Sequence, residues 1–321
     1  MQIDSYISYI AGVRRYSLRT QEIYRSVLEE FREYSGDLSI TGIRNYEVHL
    51  LDDRKASART ADLHLSVLSG YCRWAMKQGL LASNPVKLVP KPKTEKRLPV
   101  FYREESMKEY FKSTQPAASQ DQLDLLLSLP ASDGTAAGLY GRRLRRLIVA
   151  MLFGTALRRS ELISLNVASA DFSRRVLSVR GKGDKMREIP LTPSLCEEIS
   201  LYLSAASHML GPGDGSSPLL RTPEGGRLYP VFVDRAVKQE LGTTDITGRK
   251  SPHVLRHTLA TELLDGGTDL NSIKELLGHS SLAATQVYTH NSMERLRKEY
   301  NKAHPRASNT DVNYGDKSEN P

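Results

Sequence analysis

Six side chains in the C-terminal two-thirds of the chain have the types and spacing to do chemistry on a phosphate. Arg158 stands in Thr155-Ala156-Leu157-Arg158-Arg159-Ser160-Glu161-Leu162, at the end of an apolar stretch, with Glu161 three residues on. Lys182 lies between glycines in Gly181-Lys182-Gly183-Asp184. His253 and Arg256, in Pro252-His253-Val254-Leu255-Arg256-His257, are spaced i, i+3 and so share one helix face. His279 follows Gly278, and Tyr288 stands in Thr285-Gln286-Val287-Tyr288-Thr289-His290. Each fragment alone is unremarkable: Arg158 and Glu161 could be a surface helix pair, the lysine an exposed turn, the tyrosine a packing residue. Together they supply what phosphoryl transfer to a protein nucleophile needs. Guanidinium and imidazole groups can meet the charge that builds on the non-bridging oxygens. A tyrosine hydroxyl can attack if a base takes its proton, and a leaving hydroxyl needs an acid. No carboxylate cluster suggests magnesium. His257, next to the pair, is expected to be structural.

These residues need a scaffold, and the chain predicts a mainly helical one. Ser17 reads as a helix N-cap, followed by Ile23, Val27, Leu28 and Phe31 at helical spacing. Ser57 or Thr60 starts another helix carrying Leu63, Leu65, Val67, Leu68, Tyr71 and Trp74, which Gly79 could end. Residues 1–85 are therefore expected to form a helical domain. The stretch from Asn84 to Pro99 is rich in proline and lysine, which predicts an extended linker over 86–99. Arg19, Arg59, Arg73, Lys91 and Lys93 are candidates for phosphate contacts.

A second domain is expected over 100–304. Helices are predicted at 104–113, 143–153, 194–206, 229–241, 253–265, 270–277 and 282–288. Two short strands, 176–180 and 187–191, flank the Gly-Lys-Gly turn. Residues 114–141 read as a partly helical insertion or long loop, and 305–321 as a disordered tail. The 321 residues carry a net charge of +8, which favours a polyanionic partner. Cys72 and Cys196 fall in different domains and are expected as buried thiols in a reducing compartment; no apolar run or leader points to a membrane. A soluble, intracellular, cytoplasmic protein is expected, with no metal and no cofactor.

The order Arg158, Lys182, His253-x-x-Arg256, His279, Tyr288 resembles the tyrosine recombinase/integrase family. Arg158 matches that family's first catalytic arginine, Lys182 its hairpin lysine and Tyr288 its nucleophile. Glu161 matches an acid that supports the site. The resemblance is nearest to the Xer group, through Leu277-Gly278-His279-Ser280-Ser281-Leu282, Tyr288-Thr289-His290 and the segment Tyr300–Arg306. It implies a SAM-like helical core-binding domain and an α+β catalytic domain forming a C-shaped clamp on DNA. It also implies metal- and ATP-independent strand breakage and rejoining through a 3′-phosphotyrosine and a Holliday junction. The Xer group acts as a tetramer with a second recombinase, resolves chromosome dimers and is activated by a DNA translocase of the FtsK type. The segment Met293–Tyr300 would dock on a neighbouring protomer. Two features depart from the pattern: Ala156 stands where the family has glycine, and 114–141 is longer than a compact Xer enzyme needs. They leave room for a phage or mobile-element integrase or invertase. A catalytically silent DNA-binding regulator and a type IB topoisomerase are the remaining readings.

Overall fold

The computed structural model describes residues 1–92, 101–181, 185–242 and 250–277. The chain divides into two compact units, Met1–Leu98 and Pro99–Pro321. Lys93, Lys182, His279 and Tyr288 lie outside the described residues, as do the expected helices at 282–288 and 293–300 and the tail at 305–321.

The first unit is built from α1 (Ile3–Gly12), α2 (Leu18–Tyr34), α3 (Ile40–Val48) and α4 (Ala58–Lys77). Three serines start three of these helices. Ser17, Ser39 and Ser57 accept from the amides of Thr20, Gly42 and Thr60 at 3.3, 3.0 and 3.1 Å, each satisfying a donor the helix leaves open. Ile10, Leu28, Phe31, Ile43, Tyr46 and Leu68 close the core. Leu63 is exposed; it sits on the outer face of α4, out of phase with Leu65 and Leu68. The expected linker does not begin as extended chain. Pro85–Leu88 is a 3-10 turn that Asn84 caps, and Val86 and Val89 are buried in this unit's core. Two apolar side chains among the prolines are enough to dock that stretch.

The second unit comprises α5 (Glu104–Ser113), α6 (Gln120–Ser128), α7 (Gly134–Thr155), α8 (Arg159–Ser164), α9 (Pro193–Leu210), α10 (Pro230–Glu240), α11 (Pro252–Asp265) and α12 (Leu270–Leu277). Three antiparallel strands, β1 (Ala170–Asp171), β2 (Val176–Arg180) and β3 (Met186–Pro190), form a sheet in the order β1-β2-β3. In the β2–β3 register Leu177 faces Ile189 and Val179 faces Arg187. Helix α7 is the axis. Residues 147–153 are all fully buried, so it is apolar on every side and is packed by α9, α10 and α11.

Residues 114–141 are mostly helical: a 3-10 turn at Gln115–Ala118, then α6, then the first turns of α7. Two arginines of α7 hold this segment from inside. Arg146 donates to Thr114 Oγ1 and Gln115 Oε1 at 3.1 and 3.2 Å, packs on the Phe111 ring and pairs with Glu198 of α9. Arg143 donates to the Ser119 carbonyl at 2.7 Å, but its Nε and one terminal nitrogen have no partner among the described residues. Cys72 and Cys196 are both buried and unbridged. None of the described helices is long and apolar enough to cross a membrane.

The two buried guanidiniums should respond oppositely. Arg146→Met removes the ion pair to the buried Glu198 and is expected to cost about 3 kcal/mol. Arg143→Met removes an incompletely satisfied charge that lies near both Glu198 and Arg146 and should stay within about 1 kcal/mol of the parent. Urea unfolding of both variants checks the pair.

Candidate active site

The site is assembled at the ends of helices. Helix α7 ends at Ala156, whose φ of 50° is left-handed. That explains the glycine expected here: the conformation costs an alanine about 1 kcal/mol. The Ala156 methyl is fully buried and offsets a similar amount. The reversed turn points the chain outward, and Arg158 becomes the residue before α8.

Glu161, in the first turn of α8, is the centre of the cluster. It is 5% exposed, not the surface partner its sequence context allowed. Its carboxylate accepts from the Arg158 amide at 2.8 Å and the Arg158 guanidinium at 2.7 Å. The two terminal nitrogens of Arg187 donate to its two oxygens at 3.0 and 2.8 Å. Burial pushes the Glu161 carboxyl upward, but the Arg187 and Arg158 donors outweigh it and hold it below the usual carboxylate range.

Arg256 lies on the inner side of α11, 7% exposed. Pro252 in the first turn of that helix sets its start. The Arg256 guanidinium donates to the Ala156 carbonyl at 2.5 Å and to the Leu277 carbonyl. Burial, then the neighbouring positive charge of Arg158, pushes its pKa down to about 10. Arg187 Nε donates to the Leu276 carbonyl at 3.3 Å. Two arginines thus hold the last two carbonyls of α12, one residue before Gly278 and two before His279. Among the described residues, the guanidiniums of Arg158 and Arg187 bond this one carboxylate, and Arg256 lies within electrostatic reach of it and of both arginines.

His253 shares the helix with Arg256 but is exposed. Its pKa is lowered by partial desolvation of the ring, then by Arg159, His257 and Arg256, with Asp234 opposing. Arg159 and Asp234 form an ion pair between α8 and α10. His257 is exposed, and Leu255 and Leu259 of the same helix are buried. Of the six candidates, Arg158 and Arg256 are brought together with Glu161, and His253 stands on the same helix as Arg256.

Arg187 was not singled out from the sequence. Its signal is the alternation of β3, where Arg187 shares the buried face with Ile189. A cation on a core face calls for a buried acid. In the first unit Arg19 pairs with Glu22 at 3.1 Å and Lys91 with Asp62 at 2.8 Å, while Arg59 and Arg73 are exposed.

Comparison with known proteins decides the family. Residues 119–295 match the phage integrase family, and residues 3–79 match the phage integrase N-terminal SAM-like domain. The chain belongs to the phage integrase family of tyrosine recombinases. This recombinase is 31% identical over 325 residues to a protein of Chlorobaculum parvum named tyrosine recombinase XerC, covering 95% of this chain and 94% of that one. A protein of the same name in Mycobacterium tuberculosis is 32% identical over 313 residues, covering 95% and 99%. Among solved structures, the Tn1549 transposon integrase in complex with circular intermediate DNA has a TM-score of 0.61 at 19% identity, covering 91% of this chain and 97% of that one. Lambda integrase bound to DNA has a TM-score of 0.60 at 19% identity, covering 94% and 97%. The recombinase therefore has the two-domain architecture of this family, mainly helical with a small antiparallel sheet. It is a DNA-binding, tyrosine-type site-specific recombinase.

Arg187→Met is expected to destabilise the second unit by about 3 kcal/mol, because Glu161 loses its bidentate partner and the Leu276 carbonyl its donor. The stability that ionised Glu161 contributes is present above its unfolded value of about 4.3 and is lost as pH falls through its lower folded value. Without Arg187 that folded value rises, so acid unfolding of the variant should begin at higher pH than in the parent. Circular dichroism across an acid titration reads both effects.

Proposed function

We propose that the hydroxyl of Tyr288 attacks a scissile DNA phosphate, forming a 3′-phosphotyrosine and releasing a 5′-hydroxyl. Arg158, Arg256 and His279 hold the non-bridging oxygens. Lys182 gives its proton to the leaving 5′-oxygen, and His253 takes the proton of Tyr288. One phosphodiester bond breaks as another forms, so a partner strand's 5′-hydroxyl can reverse the step and generate a Holliday junction. The observation that carries this reading is the convergence of the Arg158 and Arg256 guanidiniums at Glu161. A phosphate in its transition state gains negative charge and is stabilised by donors already in place. The lowered pKa of His253 supports its part, because a neutral imidazole can accept a proton.

The biological role we propose is that of the Xer group: resolution of chromosome dimers at a chromosomal site, in a tetramer with a second recombinase and under control of an FtsK-type DNA translocase. Supporting this is similarity over nearly the full length of the relatives named XerC. Arg19, Arg59, Arg73, Lys91 and Lys93 are proposed to contact DNA phosphates, which positions the protein without specifying sequence. The segment Met293–Tyr300 is proposed to dock on a neighbouring protomer.

Trapping covalent protein–DNA complexes in the host and sequencing the attached DNA tests the chemistry and the role together. One site near the replication terminus is expected, with no adduct from Tyr288→Phe. Adducts at the ends of a mobile or invertible segment would replace the Xer role with an integrase or invertase. An adduct retained by Tyr288→Phe would exclude Tyr288 as nucleophile. Arg256→Lys keeps the charge but loses the fork that spans two carbonyls and the phosphate, and should slow adduct formation by about 10²-fold. With His253 as base, adduct formation should fall only as pH drops below about 6.5, the ordinary histidine value.

A further inference from the structure

The first unit contains a cavity that the cleavage chemistry does not use. Its volume is about 360 Å³. That is at the lower end of sites that take small molecules and far too small for a duplex. It forms where the chain doubles back after α1. The amide of Arg14 donates to the Tyr9 carbonyl at 3.3 Å, Arg15 takes a left-handed φ of 50°, and the amide of Tyr16 donates to the Ile10 carbonyl at 2.9 Å. A positive φ is uncommon for a residue other than glycine. Here it brings the Tyr16 ring edge-on to Tyr24 of α2, 5.6 Å between centroids. On another side the Trp74 ring of α4 lies 5.5 Å from the Tyr6 ring of α1. Gly70, in the middle of α4, leaves room for the Tyr6 hydroxyl: a Cβ there would come within 2.7 Å of it.

The chemistry of the lining is one-sided. Aromatic rings form much of the wall, and Arg14, Arg73 and Lys77 add three positive charges with no carboxylate among the lining residues. Burial raises the hydroxyls of Tyr6 and Tyr24, which keeps them protonated as hydrogen-bond donors. Ring faces recognise a planar π-system; guanidiniums and hydroxyls recognise an anion attached to it.

We propose that this cavity binds a single nucleotide, its base against the half-buried rings of Tyr16 and Tyr24, with Trp74 in the wall behind them, and its phosphate at Arg14 and Arg73. The nucleotide can come from an unpaired position in a DNA strand or from free mononucleotide. Strand exchange makes the first available, because a strand moving between duplexes leaves its pairing partner. The proposal goes beyond the cleavage reading and does not depend on Tyr288.

Trp74 is the only tryptophan of the chain, so its emission reports occupancy of the cavity. The full-length protein is titrated with deoxyadenosine monophosphate, a short single-stranded oligonucleotide, a fully paired duplex and inorganic phosphate. Saturable quenching by the single strand is expected, weakened about tenfold or more in the variant Arg14→Gln, in line with the loss of charge-assisted contacts. Arg14 is exposed, so thermal unfolding should change little. Quenching by the single strand but not the mononucleotide assigns the site to an unpaired position in DNA; quenching by both assigns it to nucleotides in general. The proposal is overturned if neither probe changes Trp74 emission, or if the paired duplex quenches as well as the single strand and loses as much in the variant. Adduct formation through Tyr288 is measured in parallel, so a failure of the cleavage reading would show separately from a failure of nucleotide binding.

Discussion

The second unit is organised around a buried carboxylate that three arginines share or adjoin. Glu161 fixes Arg158 from its own helix turn and Arg187 from β3. Arg187 and Arg256 in turn hold the carbonyls that end α12. A sheet strand, the exit of α7, the start of α11 and the end of α12 therefore meet through one set of charge-assisted hydrogen bonds. Taking a carboxylate and the guanidiniums of Arg187 and Arg256 out of water is costly, and such clusters rarely add to stability over an apolar core. Their value here is positional. The guanidiniums are held as fixed donors, and donors already in place are the condition for electrostatic stabilisation of a transition state.

The same helix that delivers Arg158 is anchored along its middle by a second set of buried charges. Arg143 and Arg146 of α7 reach back to Ser119, Thr114 and Gln115, so the helical segment at 114–128 is tied to the axis of the unit. This gives the segment 114–128 a structural role. It covers the N-terminal half of α7, whose apolar residues would otherwise face water.

Local grammar carried most of the fold. Ser17 and Ser57 act as the caps their positions suggest, and the apolar spacing located α5, α9, α10, α11 and α12 to within a few residues. What the sequence did not show is where tertiary contact overrides local preference. Proline and lysine around residue 85 suggested extended chain, yet burial of Val86 and Val89 folds the stretch onto its unit. Helix α7 begins at Gly134, a poor helix former, because Asp133 caps it and its length is repaid by packing. In the site, Arg158 and Arg256 were legible because their neighbours repeat a family pattern. Arg187 was not: a single arginine in a strand looks like any solvent-facing cation until the register places it opposite Val179 and against Glu161.

Through their shared hydrogen bonds, Glu161 and Arg187 form one unit that holds Arg158. A double-mutant cycle with Glu161→Gln and Arg187→Met, read by the single-turnover rate of covalent adduct formation on a cleavable duplex, tests it most directly. Each change alone should slow the step by about 10- to 100-fold, and the double variant should be no slower than the worse single one, as expected for residues in one network. Rate losses that multiply, or rates that stay at the parent value in folded protein, would show that the cluster holds the fold together without positioning the reacting groups.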